Sequence, residues 1–96
     1  MKLTVGQDLK SVYDLIFRVK RNYPQHVQNI RRVIHNVDLY IGRYNEALIL
    51  HQRTNKQKYI DDAQNALDNM TKLLTVLERA ELLGYLSGDQ KNRTFD

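Results

Sequence analysis

The chain has 96 residues, of which 42% are hydrophobic and 27% charged, with four glycines and one proline. This balance is typical of a single globular domain over residues 1–96 and excludes collagen-like and low-complexity chains. Cysteine is absent, which excludes disulfides and thiol nucleophiles and favours a reducing compartment. No apolar run approaches the length of a membrane span and no signal-peptide core opens the chain, so we expect a cytoplasmic protein with no membrane association.

The net charge of +4 is divided unevenly along the chain. Residues 1–58 contain eleven basic and four acidic side chains, a net charge of +7, whereas residues 59–96 contain four basic and seven acidic ones, a net charge of −3. Such a division favours either a front half that binds a polyanion or head-to-tail association of unlike faces.

Apolar residues at spacings of three and four predict a first helix over about 7–23, which Pro24 ends. Leu15 and Phe17 lie off this stripe. Either the helix is buried on more than one side, or these two side chains face a partner. We assign both to a partner interface.

A longer stretch of alternating three- and four-residue intervals predicts a second helix over about 25–53. Val33, Tyr40 and Ala47 widen its apolar stripe on one flank, which is typical of a helical bundle and not of a two-stranded coiled coil. Gly42 costs about 1 kcal/mol relative to Ala inside a helix. We explain it by the close passage of another backbone.

The short polar stretch after the second helix predicts a turn into an antiparallel third helix over about 57–83, with Gly84 as its C-terminal stop. Ser87 and Gln90 have capping-box spacing, but little apolar sequence follows them. The predicted fold is therefore all-α: an antiparallel helical bundle of three main helices with a short or vestigial fourth element. Helices of unequal length leave apolar stripes uncovered, so we expect a homo-oligomer or a bound protein partner.

The sequence contains no constellation that points to catalysis. His26, His35 and His51 are too far apart for the one-turn spacing of a helical metal site, and no Gly-rich phosphate loop or nucleophile elbow is present. We therefore predict no enzyme activity, no catalytic residue, no metal, no cofactor and no small-molecule substrate.

Basic side chains are the strongest functional signal, because guanidinium and ammonium groups bind phosphates without sequence preference. The residues that we assign to a nucleic-acid-binding face are Arg18, Lys20, Arg21, Arg31, Arg32, His35 and Arg43. Tyr40 and Tyr44, one turn apart, join the predicted partner interface. On the residues alone, nucleic-acid binding and a purely protein-binding role stay about equally open.

Four segments resemble a known family: Val12–Leu15, the Tyr23–Pro24 break, Ile30–Arg32 at the opening of the second helix, and Leu77–Ser87. Over about residues 9–90 the chain resembles the four-helix-bundle superfamily of small bacterial proteins. That superfamily includes the ribosomal-RNA intervening-sequence proteins and the accessory variability determinant of diversity-generating retroelements. The most specific part of the resemblance begins at Ala80.

The resemblance implies a bundle subunit with no activity of its own, a basic outer surface and assembly into a ring of five that associates with a reverse transcriptase and its template. By position, Arg31 and Arg32 match the basic pair of the family's second helix, and Arg18, Lys20 and Arg21 lie where relatives are often basic. Relatives continue into a full apolar fourth helix. Either neighbouring subunits supply that helix here, or the chain is a bundle used for something else, such as a phage-borne inhibitor or adaptor.

We therefore expect a non-enzymatic accessory protein that binds nucleic acid, RNA or DNA, or a nucleoprotein enzyme such as a reverse transcriptase, through a basic helical face. The alternative is a protein–protein interaction module, such as a phage-type inhibitor or adaptor, that docks by exposed apolar helix surface.

Overall fold

The computed structural model describes residues 1–22 and 27–82, without the side chains of Val27, Asn29 and Ala80. These residues form three helices and no strand: α1 (Lys10–Asn22), α2 (Val27–Thr54) and α3 (Gln57–Leu82). The all-α helical bundle is thereby confirmed. Four predictions lie outside the described residues: the Tyr23–Pro24 break, a helix start at Gln25, the stop at Gly84 and the fourth element.

The first helix begins later than its apolar spacing predicts, at Lys10 instead of residue 7. Before it, the Gln7 amide donates to the Thr4 carbonyl across a turn in which Gly6 has a φ of 92°. A positive φ at this position is typical of a type II turn, which the helix cannot include. The Asp8 carboxylate then accepts from the Lys10 amide and satisfies one of the free donors at the helix start.

A two-residue connection turns α2 into α3, as predicted. Asn55 has a φ of 57° and donates its amide to the His51 carbonyl at 2.7 Å, which is how a left-handed residue closes a helix C-terminus. The Thr54 hydroxyl donates to the Leu50 carbonyl in the same turn. The two long helices consequently run antiparallel and pack extensively against each other.

The N-terminal segment crosses one face of this α2–α3 hairpin, a feature that periodicity did not predict. Leu3 is buried in the core, and its carbonyl accepts from the Gln64 side chain on α3. The Gly6 amide donates to the Tyr44 hydroxyl on α2 at 2.9 Å. This segment and α1 therefore cover the same face of the hairpin.

The core is formed by residues from all three helices and from the N-terminal segment. The fully buried, larger side chains are Val12, Leu15, Val19, Val37, Leu67, Met70, Leu74 and Leu77. No buried side-chain nitrogen or oxygen lacks a hydrogen bond in the described part of the chain. None of the three helices has the combination of length and apolarity that crossing a bilayer requires.

Two assignments to a partner interface are wrong. Leu15 is 0% exposed and packs in the core of this chain, because α1 buries a wide face and not a narrow stripe. Tyr44 is 3% exposed, and its hydroxyl accepts from the Gly6 amide. Neither side chain is available to a partner.

The explanation for Gly42 is also wrong. A Cβ placed on Gly42 would meet no atom within 4 Å, and the residue lies on the exposed side of α2. No backbone in the described residues approaches Gly42, so no packing contact offsets the cost of this glycine to helix stability.

Candidate nucleic-acid interface

The structure divides the predicted basic face into separate places. Lys20, Arg31, Arg32 and His35 gather near the C-terminal end of α1 and the N-terminal end of α2. The remaining three residues, Arg18, Arg21 and Arg43, each have another neighbour. The face of seven residues that spacing predicts is therefore reduced to a cluster of four.

This basic cluster surrounds a shallow depression where α1 meets α2. Lys20 from α1 lines it together with Gln28, Arg31 and His35 from α2, and Arg32 joins the last three on the adjoining surface. Lys20 comes from the last turn of α1 and the others from the first turns of α2, so the two helices run antiparallel. All of these side chains are exposed, which leaves their donors accessible to phosphate oxygens.

Ion pairs at the same end of the molecule neutralise the nearby acids of α3. The Met1 amino group lies 3.1 Å from Glu78 Oε1, and Arg18 donates from Nε and Nη2 to the two carboxylate oxygens of Glu81, each at 3.0 Å. Within residues 1–22 and 27–82, no member of the basic cluster forms a salt bridge. Among the residues that the structure describes, Asp38 is the one acid that lines the depression.

Arg18 therefore holds α1 against α3. Its hydrogen bond to Glu81 raises the pKa of the guanidinium above its ordinary value. A group whose pKa is higher in the folded state than in the unfolded state stabilises the fold at pH values below its unfolded-state pKa. This contribution is lost only as the pH rises through the folded-state pKa. Because the ordinary pKa of arginine already lies above the pH range in which proteins are studied, this contribution stays constant across that range.

Arg21 and Arg43 each lie over an aromatic ring. The Arg21 guanidinium is 5.6 Å from the ring centre of Phe17, and that of Arg43 is 5.3 Å from the ring centre of Tyr40. Arg43 is about 16 Å beyond Arg32 along α2, at 1.5 Å per residue. It lines a groove between α2 and α3 and not the basic cluster.

Of the four residues predicted for the partner interface, only Phe17 and Tyr40 reach the surface. Phe17 is 62% exposed. Its neighbour Tyr13, one turn earlier on the outer side of α1 and not among the four, is 51% exposed. Tyr40 is half-buried against the core and lines the same groove as Arg43. Gln28, which lines the basic cluster, could not be predicted from its residue type, because a neutral polar side chain on a helix surface gives no sign of such a place.

No group of three or more His, Cys, Asp or Glu side chains that could hold a metal ion occurs among the described residues. No protein-family model, curated protein or solved structure matches the chain. The resemblance to the four-helix-bundle superfamily therefore stays a prediction.

Proposed function

We propose that this protein binds nucleic acid, without sequence preference, through the basic cluster formed by Lys20, Arg31, Arg32 and His35. One observation carries the proposal: cations from α1 and α2 surround one depression, while the two nearby carboxylates of α3 are already paired. The net field at this end of the described molecule is positive, which attracts a polyanion and releases its counterions.

The shape of the site favours contact with the phosphate backbone. The depression is open and shallow, and two long cations, Lys20 and Arg31, line it together with the polar side chains of Gln28 and His35 and with Ile34 and Asp38. Such groups position a nucleic acid without identifying its bases. We therefore assign the protein a non-enzymatic accessory role in a cytoplasmic nucleoprotein complex, of which a reverse transcriptase with its template is the example that the family resemblance supplies.

The experiment is a fluorescence-anisotropy titration of labelled mixed-sequence RNA and DNA at several salt concentrations. Lys20→Glu combined with Arg31→Glu should weaken binding on the order of tenfold and reduce the salt dependence of the dissociation constant, because phosphate contacts are lost. The matched control is Arg53→Glu combined with Lys56→Glu, which changes the net charge equally at exposed positions near the α2–α3 turn.

The two variants separate a local site from a general charge effect. Equal weakening by both would mean that net charge alone attracts the nucleic acid, which would contradict the proposal. No binding by the unmodified chain would also contradict it and would favour the second candidate. That candidate is docking onto a protein partner through Phe17 and Tyr13, the exposed aromatic pair on α1.

A further inference from the structure

A second feature of the surface is a groove of about 300 Å³ between α2 and α3, near the turn that joins them. We call it the hairpin groove. Its apolar lining consists of Tyr40, Ala47, Leu50, Tyr59 and Ala66. The two alanines are buried, and side chains this small let another helix approach the backbone closely.

The hairpin groove lies on the face of the hairpin that α1 does not cover. On α3, the N-terminal segment contacts the row that contains Gln64 and Thr71, whereas the hairpin groove uses the row that contains Tyr59 and Ala66. On α2, Lys20 of α1 lines a depression with Arg31 and Asp38, neither of which lines the hairpin groove. One face of the hairpin is therefore packed, and no segment within residues 1–22 and 27–82 covers the opposite face.

Apolar side chains continue along this open face beyond the groove. Val33 and Leu73 are half-buried against the core, and Val76 is 52% exposed. Val33 lies two helical turns before Tyr40 on α2, and Leu73 lies two turns after Ala66 on α3. A continuous apolar strip on a helix pair is the type of surface that packs against further helices.

Charges of both signs border the hairpin groove. Arg43 and Glu46 of α2 and Asp62 of α3 all line it, and all three are exposed. This border differs from the basic cluster, which carries mainly one sign and repels a copy of itself. A border with both signs is complementary to its own copy and unfavourable to a polyanion.

We propose that the hairpin groove binds a second copy of this chain, groove against groove, about a two-fold axis. Arg43 and Glu46 are one turn apart on α2, about 4.5 Å along the helix axis. A two-fold axis that is perpendicular to α2 and passes between them places Arg43 of each copy opposite Glu46 of the other. The same residues then serve both sides of the contact, as an isologous interface requires.

In this arrangement the two α2–α3 hairpins stack face to face as a four-helix bundle, with each α1 on the outside. Ala47 and Ala66 allow the hairpins to approach closely, and Tyr40 and Tyr59 fill the space on either side. The pairing uses none of the residues of the basic cluster, so it stands or falls separately from nucleic-acid binding.

The experiment measures the mass of the full chain in solution by light scattering coupled to size exclusion, without nucleic acid. The unmodified chain should have twice the 11.4 kDa chain mass. Arg43→Glu leaves only acids on the groove border, and Glu46→Arg combined with Asp62→Arg leaves only bases. Each variant should elute at the mass of one chain, because like charges then face each other.

Mixing the two variants is the decisive step. Each border lacks one sign, so the mixture should regain twice the chain mass as a heterodimer. Asp61→Arg is the matched control, since adjacent residues on a helix point about 100° apart and Asp61 does not line the groove. This control should keep the mass of the unmodified chain.

Four results would overturn the proposal: a single-chain mass for the unmodified protein, a defined mass other than two chains, a dimer that persists in both variants, or a mixture that stays at one chain mass. The last would mean that the border charges do not face each other. Circular dichroism of each variant checks that the helices persist.

Discussion

At the scale of single residues, the two described glycines have opposite roles. Gly6 has a φ of 92° and permits the turn that carries the N-terminal segment onto the hairpin. Gly42 lies within α2 on an exposed side, and a Cβ placed on it would meet no atom of the described residues within 4 Å. The same residue type is therefore required by backbone conformation at one position and is a cost to the helix at the other.

Replacing each glycine by alanine tests this difference. Gly42→Ala should raise the free energy of unfolding by about 1 kcal/mol, the helix-propensity difference. Gly6→Ala should lower it by about 1–2 kcal/mol, because a Cβ is unfavourable at positive φ. Both are measured by urea unfolding followed by circular dichroism. A loss of stability in Gly42→Ala would contradict the open surroundings of that residue.

At the scale of the helix, α1 depends on a wide buried face. Val12, Leu15, Ile16 and Val19 are all buried, whereas Phe17 is exposed under the Arg21 guanidinium. In the sequence pattern Leu15 and Phe17 cannot be distinguished, because both lie off the apolar stripe of the first helix. Packing of α1 against both long helices, with Arg18 paired to Glu81 on one side, is what separates them.

This separation predicts unequal effects on stability. Leu15→Ala should cost about 2–5 kcal/mol, the usual range for a leucine removed from a packed core. Phe17→Ala should change stability by no more than about 0.5 kcal/mol, as for an exposed position. Thermal and urea unfolding of both variants provide the measurement. Equal losses would mean that α1 packs by a different face.

At the scale of the whole molecule, the described N-terminal segment and α1 cover the hairpin unevenly. Contacts from the N-terminal segment and α1 reach α2 as far as Tyr44 and α3 as far as Gln64. Towards the connecting turn, the described structure is a pair of helices with the hairpin groove on one face. The two ends of the hairpin therefore differ in how much apolar surface supports them.

Hydrogen exchange should report this difference. At low protein concentration, amides at 48–54 and 57–60 should exchange faster than those at 34–41 and 70–77, because fewer buried side chains hold the turn end closed. Exchange followed by NMR measures each amide separately. Uniform protection along both long helices would contradict this description.

The helices could be predicted because their signal is local. The end of α2 at Thr54 and the start of α3 at Gln57 agree with the periodicity to within one residue, since a long amphipathic pattern specifies a helix regardless of its partners. The start of α1 could not be located in this way, because the turn at Gly6 depends on the Tyr44 hydroxyl 38 residues away. The candidate site was predicted in part: Lys20, Arg31, Arg32 and His35 belong together, but Arg18 and Arg43 do not.

Composition and periodicity were enough to specify an all-α chain, its two long helices and the excess of positive charge, because these properties depend on residue type and near neighbours. The tertiary structure decided which cations pair with acids and which side chains off the apolar stripe are buried. Arg18 meets Glu81 across 63 residues, and the Met1 amino group meets Glu78 across 77. A periodic pattern contains no information on contacts this distant along the chain, so the extent of the basic cluster and the open face of the hairpin depended on how the helices pack.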